Sequence, residues 1–152
     1  MSEFSTDSVS STTILVVDDN VEMVEFLRIY LSRHGMRVLL AYDGRQCLEI
    51  VRREQIDIIV LDVMMPGMDG ITTCTALKSL PEASGIPVLL LTAKDDNTTR
   101  LAGIEAGICE FLTKPVRGKV LLNYIRSQLA VRQWERKLDQ LSDDAFSDEI
   151  QM

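Results

Sequence analysis

Long apolar runs are missing from this chain. None approaches the roughly 20 residues a membrane-spanning helix needs, so no membrane association is expected. Histidine is nearly absent as well. His34 is the only one. Its place before Gly35 at the end of a helical stretch reads as structural, because a helix C-terminus favours a cation. The three cysteines, Cys47, Cys74 and Cys109, are odd in number and lack CxxC spacing. They read as reduced core or near-core thiols of a cytoplasmic protein rather than a disulfide framework. Basic residues are outnumbered, 16 against 23 acidic, for a net charge of −7; a general nucleic-acid binder would need a basic face. The Ser/Thr-rich start has neither a basic nor an apolar stretch, so it is not a signal peptide. Residues 1–12 are expected to be a disordered lead-in.

What the chain does have is alternation. Short Val/Ile/Leu runs predict strands at Thr13–Val17, Arg37–Ala41, Ile56–Leu61, Pro87–Thr92 and Cys109–Thr113. Between them lie helical patterns. Val21, Val24, Leu27 and Leu31 recur at helical spacing until Gly35 stops the run. Further helices are expected from Gly44 to Glu54, after Gly70 to about Leu80-Pro81, from the Asp95-Asp96 pair to Gly107, and from about Arg117. Strand–helix alternation of this kind predicts an α/β fold: a doubly wound, five-stranded parallel sheet with helices on both faces, flavodoxin-like in type. One domain over 13–130 uses nearly all the length. Residues 131–152 are left as a helical extension with a frayed acidic tail. Val120, Tyr124, Ser127, Val131, Trp134, Leu138 and Leu141 follow spacings of four and three, a heptad seam interrupted by Ser127. Its first half is expected to pack on the sheet. Beyond Val131, the stripe either folds back on the body or serves dimerisation or domain connection.

Polar residues punctuate the ends of these apolar runs. Asp18 and Asp19 follow the first run, Asp62 follows the third, Thr92 ends the fourth, and Lys114 follows the fifth. In an open α/β sheet, chemistry collects at the carboxyl ends of the strands, so these five side chains are expected to converge. Three carboxylates alone would repel one another. Oxygen-only ligation favours Mg²⁺, with Mn²⁺ as a substitute, and waters completing the coordination. Asp18 or Asp19 could instead cap the following helix, but capping does not account for Asp62. Asp62 is the candidate nucleophile toward a phosphoryl group, with Thr92 and Lys114 as donors to its oxygens. Met64, Met65 and Met68 read as lining the loop and nearby core.

Val16-Val17-Asp18-Asp19, the run from Leu61 through Gly70, Leu91-Thr92-Ala93 and Leu112-Thr113-Lys114-Pro115 together resemble the response-regulator receiver domain of two-component signalling, the CheY-like superfamily. The likeness covers roughly Thr12 to Leu129. It implies that Asp62 is the phosphoacceptor and that Asp18 and Asp19 form an acid pair at the metal. It also implies that Met64 lends the metal a backbone carbonyl, while Thr92 and Lys114 hold the phosphoryl oxygens. Pro66, Gly70 and Pro115 would be structural, with a cis Lys114–Pro115 bond. Phe111 takes the place of a switch aromatic, often Tyr, working together with Thr92. The implied partners are a sensor histidine kinase or phosphotransfer protein and a downstream protein or output domain; separately, the C-terminal seam is expected to form a parallel homodimer that is weak alone and tightened by phosphorylation. The other reading of the site, a Mg²⁺-dependent aspartyl-phosphate phosphohydrolase, needs a second Asp two residues after the nucleophile. Met64 stands there and cannot transfer a proton.

Overall fold

The computed structural model describes residues 12–92, 97–107 and 110–151, without the side chains of 97–99 and 142–151. The lead-in up to residue 11, the Asp95-Asp96 helix start and Cys109 lie outside the described residues. Short apolar runs make the strands β1 (Thr13–Val17), β2 (Arg37–Ala41), β3 (Ile58–Asp62), β4 (Val88–Thr92) and β5 (Glu110–Thr113); β1, β3 and β4 are buried along their whole length, whereas the outer strands β2 and β5 are only partly buried. The helices between and after them are α1 (Val21–Arg33), α2 (Gly44–Arg53), α3 (Gly70–Ser79), α4 (Asn97–Ala106) and α5 (Gly118–Gln151). Every neighbouring strand pair is parallel, in the order β2-β1-β3-β4-β5. That is the flavodoxin-like doubly wound sheet. β3 starts two residues later than its apolar run predicts. Asp57, just before it, is tied to β1 instead: its N–H donates to the Thr13 carbonyl (2.9 Å), and its Oδ2 accepts from Thr13 N (2.8 Å).

Period-two alternation along the strands feeds two cores. Leu15, Val17, Ile59, Leu61, Val88 and Leu90 face one side, packed with Cys47, Ile50 and Val51 of α2 and Cys74 and Leu77 of α3. Ile14, Val16, Ile58, Val60, Leu89 and Leu91 face the other, against Val24, Leu27 and Leu31 of α1 and Leu121, Leu122 and Ile125 of α5. Burial, reinforced by Cys74, pushes the Cys47 thiol up to about 12, which leaves it unreactive.

Polar caps fix where the helices begin. Asn20 caps α1 by accepting from Met23 N (3.1 Å), Asp43 caps α2 through Gln46 N (2.8 Å), and Asp69 caps α3 through Thr72 N (2.8 Å). Because Asn20 has the capping role, neither Asp18 nor Asp19 is taken up by it. Gly35 ends α1 at φ 85° and Gly107 follows α4 at φ 90°, a backbone shape glycine adopts without strain.

α5 corrects the expectation about the seam. The residues that fill the core are Leu121, Leu122 and Ile125, which lie off the heptad stripe, whereas Val120 is 40% exposed and Ser127 is exposed. The seam therefore looks away from the sheet from its start, with only Tyr124 partly packed against the core. Nor does the extension fold back through its apolar stripe, since Trp134 is 62% exposed. The opposite side of the helix touches the body: Arg132 Nη1 donates to the Asp57 carbonyl at 2.6 Å. Helix continues through Gln151, where the acidic composition had suggested a frayed tail.

One glycine is fixed by close approach. A Cβ on Gly70 would lie 2.4 Å from the Asp62 carbonyl oxygen and 2.8 Å from Val63 Cα. Both are backbone atoms that cannot yield without moving the end of β3. Gly70→Ala is expected to cost about 1–3 kcal/mol, read as a melting temperature several degrees below the parent's. A variant that melts with the parent would show that this contact does not shape the loop.

Candidate functional site

The carboxyl ends of β1, β3, β4 and β5 meet at one end of the sheet, and all five polar residues singled out from the sequence stand there. Asp18 follows β1 and is held by its own loop: its N–H donates to the Ala41 carbonyl (3.1 Å), and its Oδ1 accepts from Asn20 N (3.0 Å). Asp62 is the last residue of β3 and is 2% exposed. Asp19 faces solvent beside them. Oxygens of Asp18, Asp19 and Asp62 all lie within 4.8 Å of one another. Lys114 reaches in from the end of β5, with Nζ 2.8 Å from Asp62 Oδ1 and 3.2 Å from Asp18 Oδ2. Its backbone is fixed as well: the Lys114 N–H donates to the Thr92 carbonyl at 2.7 Å, and the Lys114–Pro115 peptide is cis.

Thr92 is buried at the end of β4, one position beyond Leu91, the register partner of Asp62. Phe111 lies partly buried in β5 opposite Leu90. The Arg100 guanidinium sits over its ring, 5.4 Å from the centroid, within cation–π range. No sequence signal marks Arg100, because the pairing exists only once α4 and β5 are adjacent. The methionines divide. Met65 is buried and Met68 packs toward Gly44, but the Met64 side chain is 72% exposed and does not join the core. Pro66 is exposed in the same loop, and Gly67 turns it at φ 77°.

Charge is out of balance here. Burial raises the Asp62 carboxyl above its ordinary range; the Lys114 hydrogen bond opposes this, and the charges of Asp18 and Asp19 add to it. Burial also pulls the Lys114 ammonium down, but its bonds to Asp62 and Asp18 outweigh that, and it ends raised. One ammonium among three carboxylates leaves the site short of positive charge. A hard, oxygen-loving divalent cation fits that donor set, with the exposed Asp19 side open to its waters.

The imbalance has a measurable consequence. A carboxyl whose pKa is raised by folding contributes stability below its unfolded value, and that contribution is lost as pH rises through the folded value. Without divalent metal, Asp62→Asn is therefore expected to be more stable than the parent at neutral pH, by on the order of 1 kcal/mol or about 2–4 °C. The advantage should vanish below pH 3.8, the ordinary value for the group. Thermal melts across pH check this; a variant less stable than the parent at neutral pH would contradict it.

The family model for the response regulator receiver domain matches residues 14–126. Response regulator PleD of Caulobacter vibrioides is 45% identical over 117 residues, which cover 77% of this chain but only 26% of PleD. The chain thus spans about a quarter of that relative. Among solved structures, the chemotaxis protein CheY4 of Vibrio cholerae superposes with a TM-score of 0.75 at 28% identity, covering 78% of this chain and 98% of CheY4. The receiver domain of sensor histidine kinase PA1611 from Pseudomonas aeruginosa, solved with a magnesium ion coordinated in its active-site cleft, gives 0.73 at 26% identity over 78% and 98%. With the sheet order and the strand-end cluster, these matches place the chain in a family: it belongs to the response-regulator receiver domains.

Proposed function

We propose that this chain is a phosphorylation-controlled signalling switch in which Asp62 accepts a phosphoryl group from the phosphohistidine of a sensor kinase or phosphotransfer protein. The observation that carries the proposal is the convergence of Asp18, Asp19 and Asp62 within 4.8 Å, with Lys114 bridging two of them. In the transfer, an Asp62 oxygen attacks phosphorus in line, a P–O bond forms, and the P–N bond to the donor histidine breaks with its electron pair returning to nitrogen. Asp18, Asp19, Asp62 and the Met64 carbonyl are the groups that would hold Mg²⁺ or Mn²⁺, which supplies charge neutralisation at the phosphoryl oxygens; the magnesium in the PA1611 receiver supports this choice. Thr92 and Lys114 take the oxygens of the acyl phosphate. Met64, two residues after Asp62, offers no proton, so a phosphohydrolase acting on separate substrates is not favoured. Residues 13–130 form the receiver and 131–152 its extension. The partners are a histidine kinase and a downstream protein or output domain, in the cytoplasm.

Acetyl phosphate tests the reading without a kinase. With Mg²⁺, intact mass should rise by one phosphoryl group, stable to acid and labile to hydroxylamine; no Mg²⁺-dependent adduct would overturn it. Lys114→Ala separates charging from switching. Lys114 is the cation that senses the new charge, so beryllofluoride should still bind but shift the amides of α4 far less than in the parent. Equal NMR shifts in parent and variant would refute the coupling.

A further inference from the structure

The seam on α5 has no partner among the described residues. Val131, Trp134, Leu138 and Leu141 are 50%, 62%, 55% and 61% exposed and follow one another on one face. Arg132 anchors the opposite face to Asp57, so the stripe is held outward. Exposed stripes of large apolar side chains mark contact sites.

Charge is laid out lengthwise along this helix. From 126 to 137 there are four basic residues, Arg126, Arg132, Arg136 and Lys137, against the single acid Glu135. From 139 to 149 the sequence carries Asp139, Asp143, Asp144, Asp148 and Glu149 and no base. A parallel pair would lay basic on basic and acidic on acidic along its length. An antiparallel pair lays each basic half on the other copy's acidic half while still burying Trp134 and Leu138 in the seam. Flanking charges are what set orientation in paired helices, and repulsion between like charges at such spacing acts within a Debye length of about 8–10 Å.

We propose that α5 pairs antiparallel with α5 of a second copy of this chain, through the Val131–Trp134–Leu138–Leu141 stripe. The two receivers then sit at opposite ends of the helix pair, with their phosphoryl-accepting sites apart. This arrangement does not depend on the phosphoacceptor reading and is tested on the unphosphorylated chain.

Sedimentation of the full chain at submillimolar concentration should show dimer that weakens as salt is raised. Orientation is read from a nitroxide at the exposed Asn123, introduced as Asn123→Cys with Cys109→Ser, since Cys47 and Cys74 are buried. In antiparallel pairs that match the stripe, the two labels are offset by about 26–33 residues, or about 40–50 Å at 1.5 Å per residue. A parallel pair with an interaxial distance of about 10 Å keeps them within about 20 Å. A pulsed dipolar distance of 40–50 Å supports the proposal. A short distance means a parallel dimer and overturns it, and so does monomer at every concentration. Trp134→Ser with Leu138→Ser should abolish the dimer while leaving the melting temperature of the dilute, monomeric chain unchanged, because neither side chain is packed on its own domain. A dimer that survives the double substitution uses another face, which also overturns the proposal.

Discussion

Asp62→Asn is expected to take up no phosphoryl group from acetyl phosphate with Mg²⁺ present, under conditions where the parent gains one. The substitution keeps the size and shape of the side chain, and Asn can still accept from Lys114, so the end of β3 should stay in place. What it removes is the anionic oxygen that attacks phosphorus. Asp18 is equally buried but has both oxygens engaged, one with Asn20 N and one with Lys114. Asp19 is turned to solvent. Asp62 alone combines burial at a strand end with a position between the other acids and Lys114. Intact-mass measurement of both proteins decides the matter, with the melting temperature as a check on folding. Labelling of Asp62→Asn at the parent's level would remove Asp62 from its proposed role.

The second large effect concerns the acid pair. Asp19→Ala is the cleaner variant, because an exposed side chain is lost without disturbing packing. Mg²⁺ affinity should fall by about 10-fold or more, since even groups behind a metal's own ligands cost about 10–100-fold when removed. At limiting Mg²⁺, phosphorylation should fall in step. Asp18→Ala should lose binding too, and stability with it, because the Asn20 N–H and the Lys114 ammonium each lose an acceptor. Calorimetric or NMR titration with Mg²⁺ checks both, and Trp134, on the outer face of α5, is poorly placed to report by fluorescence. If both variants bind Mg²⁺ as the parent does, the ion is not held by this pair.

Much of the fold could be read from the sequence because two-sided burial leaves a plain mark. Ile14-Leu15-Val16-Val17 and Val88-Leu89-Leu90-Leu91 admit few polar residues when both faces of the sheet are covered, and the carboxylates and Lys114 stand out where those runs stop. Their convergence follows from parallel strands sharing one carboxyl end. What depended on tertiary contacts was harder. The heptad spacing on α5 is real, but it selects the outer face, and Leu121, Leu122 and Ile125 serve the core at other positions. Asp18 and Asp19 read as candidate caps of α1, yet Asn20, one residue further on, takes that role, while Asp18 is committed to Lys114. Arg100 over Phe111 and Arg132 on Asp57 are contacts between segments distant in the chain, invisible to any local pattern.

The central claim is that one aspartate, Asp62, carries the phosphoryl group. Phosphorylating the parent with acetyl phosphate and Mg²⁺, reducing the acyl phosphate with borohydride and mapping the product by tandem mass spectrometry tests it directly, because reduction converts only a phosphorylated aspartate to homoserine. The account predicts homoserine at position 62 and at no other aspartate. Homoserine at Asp18, Asp19 or elsewhere, or none at all despite a phosphoryl adduct in the intact mass, would contradict it.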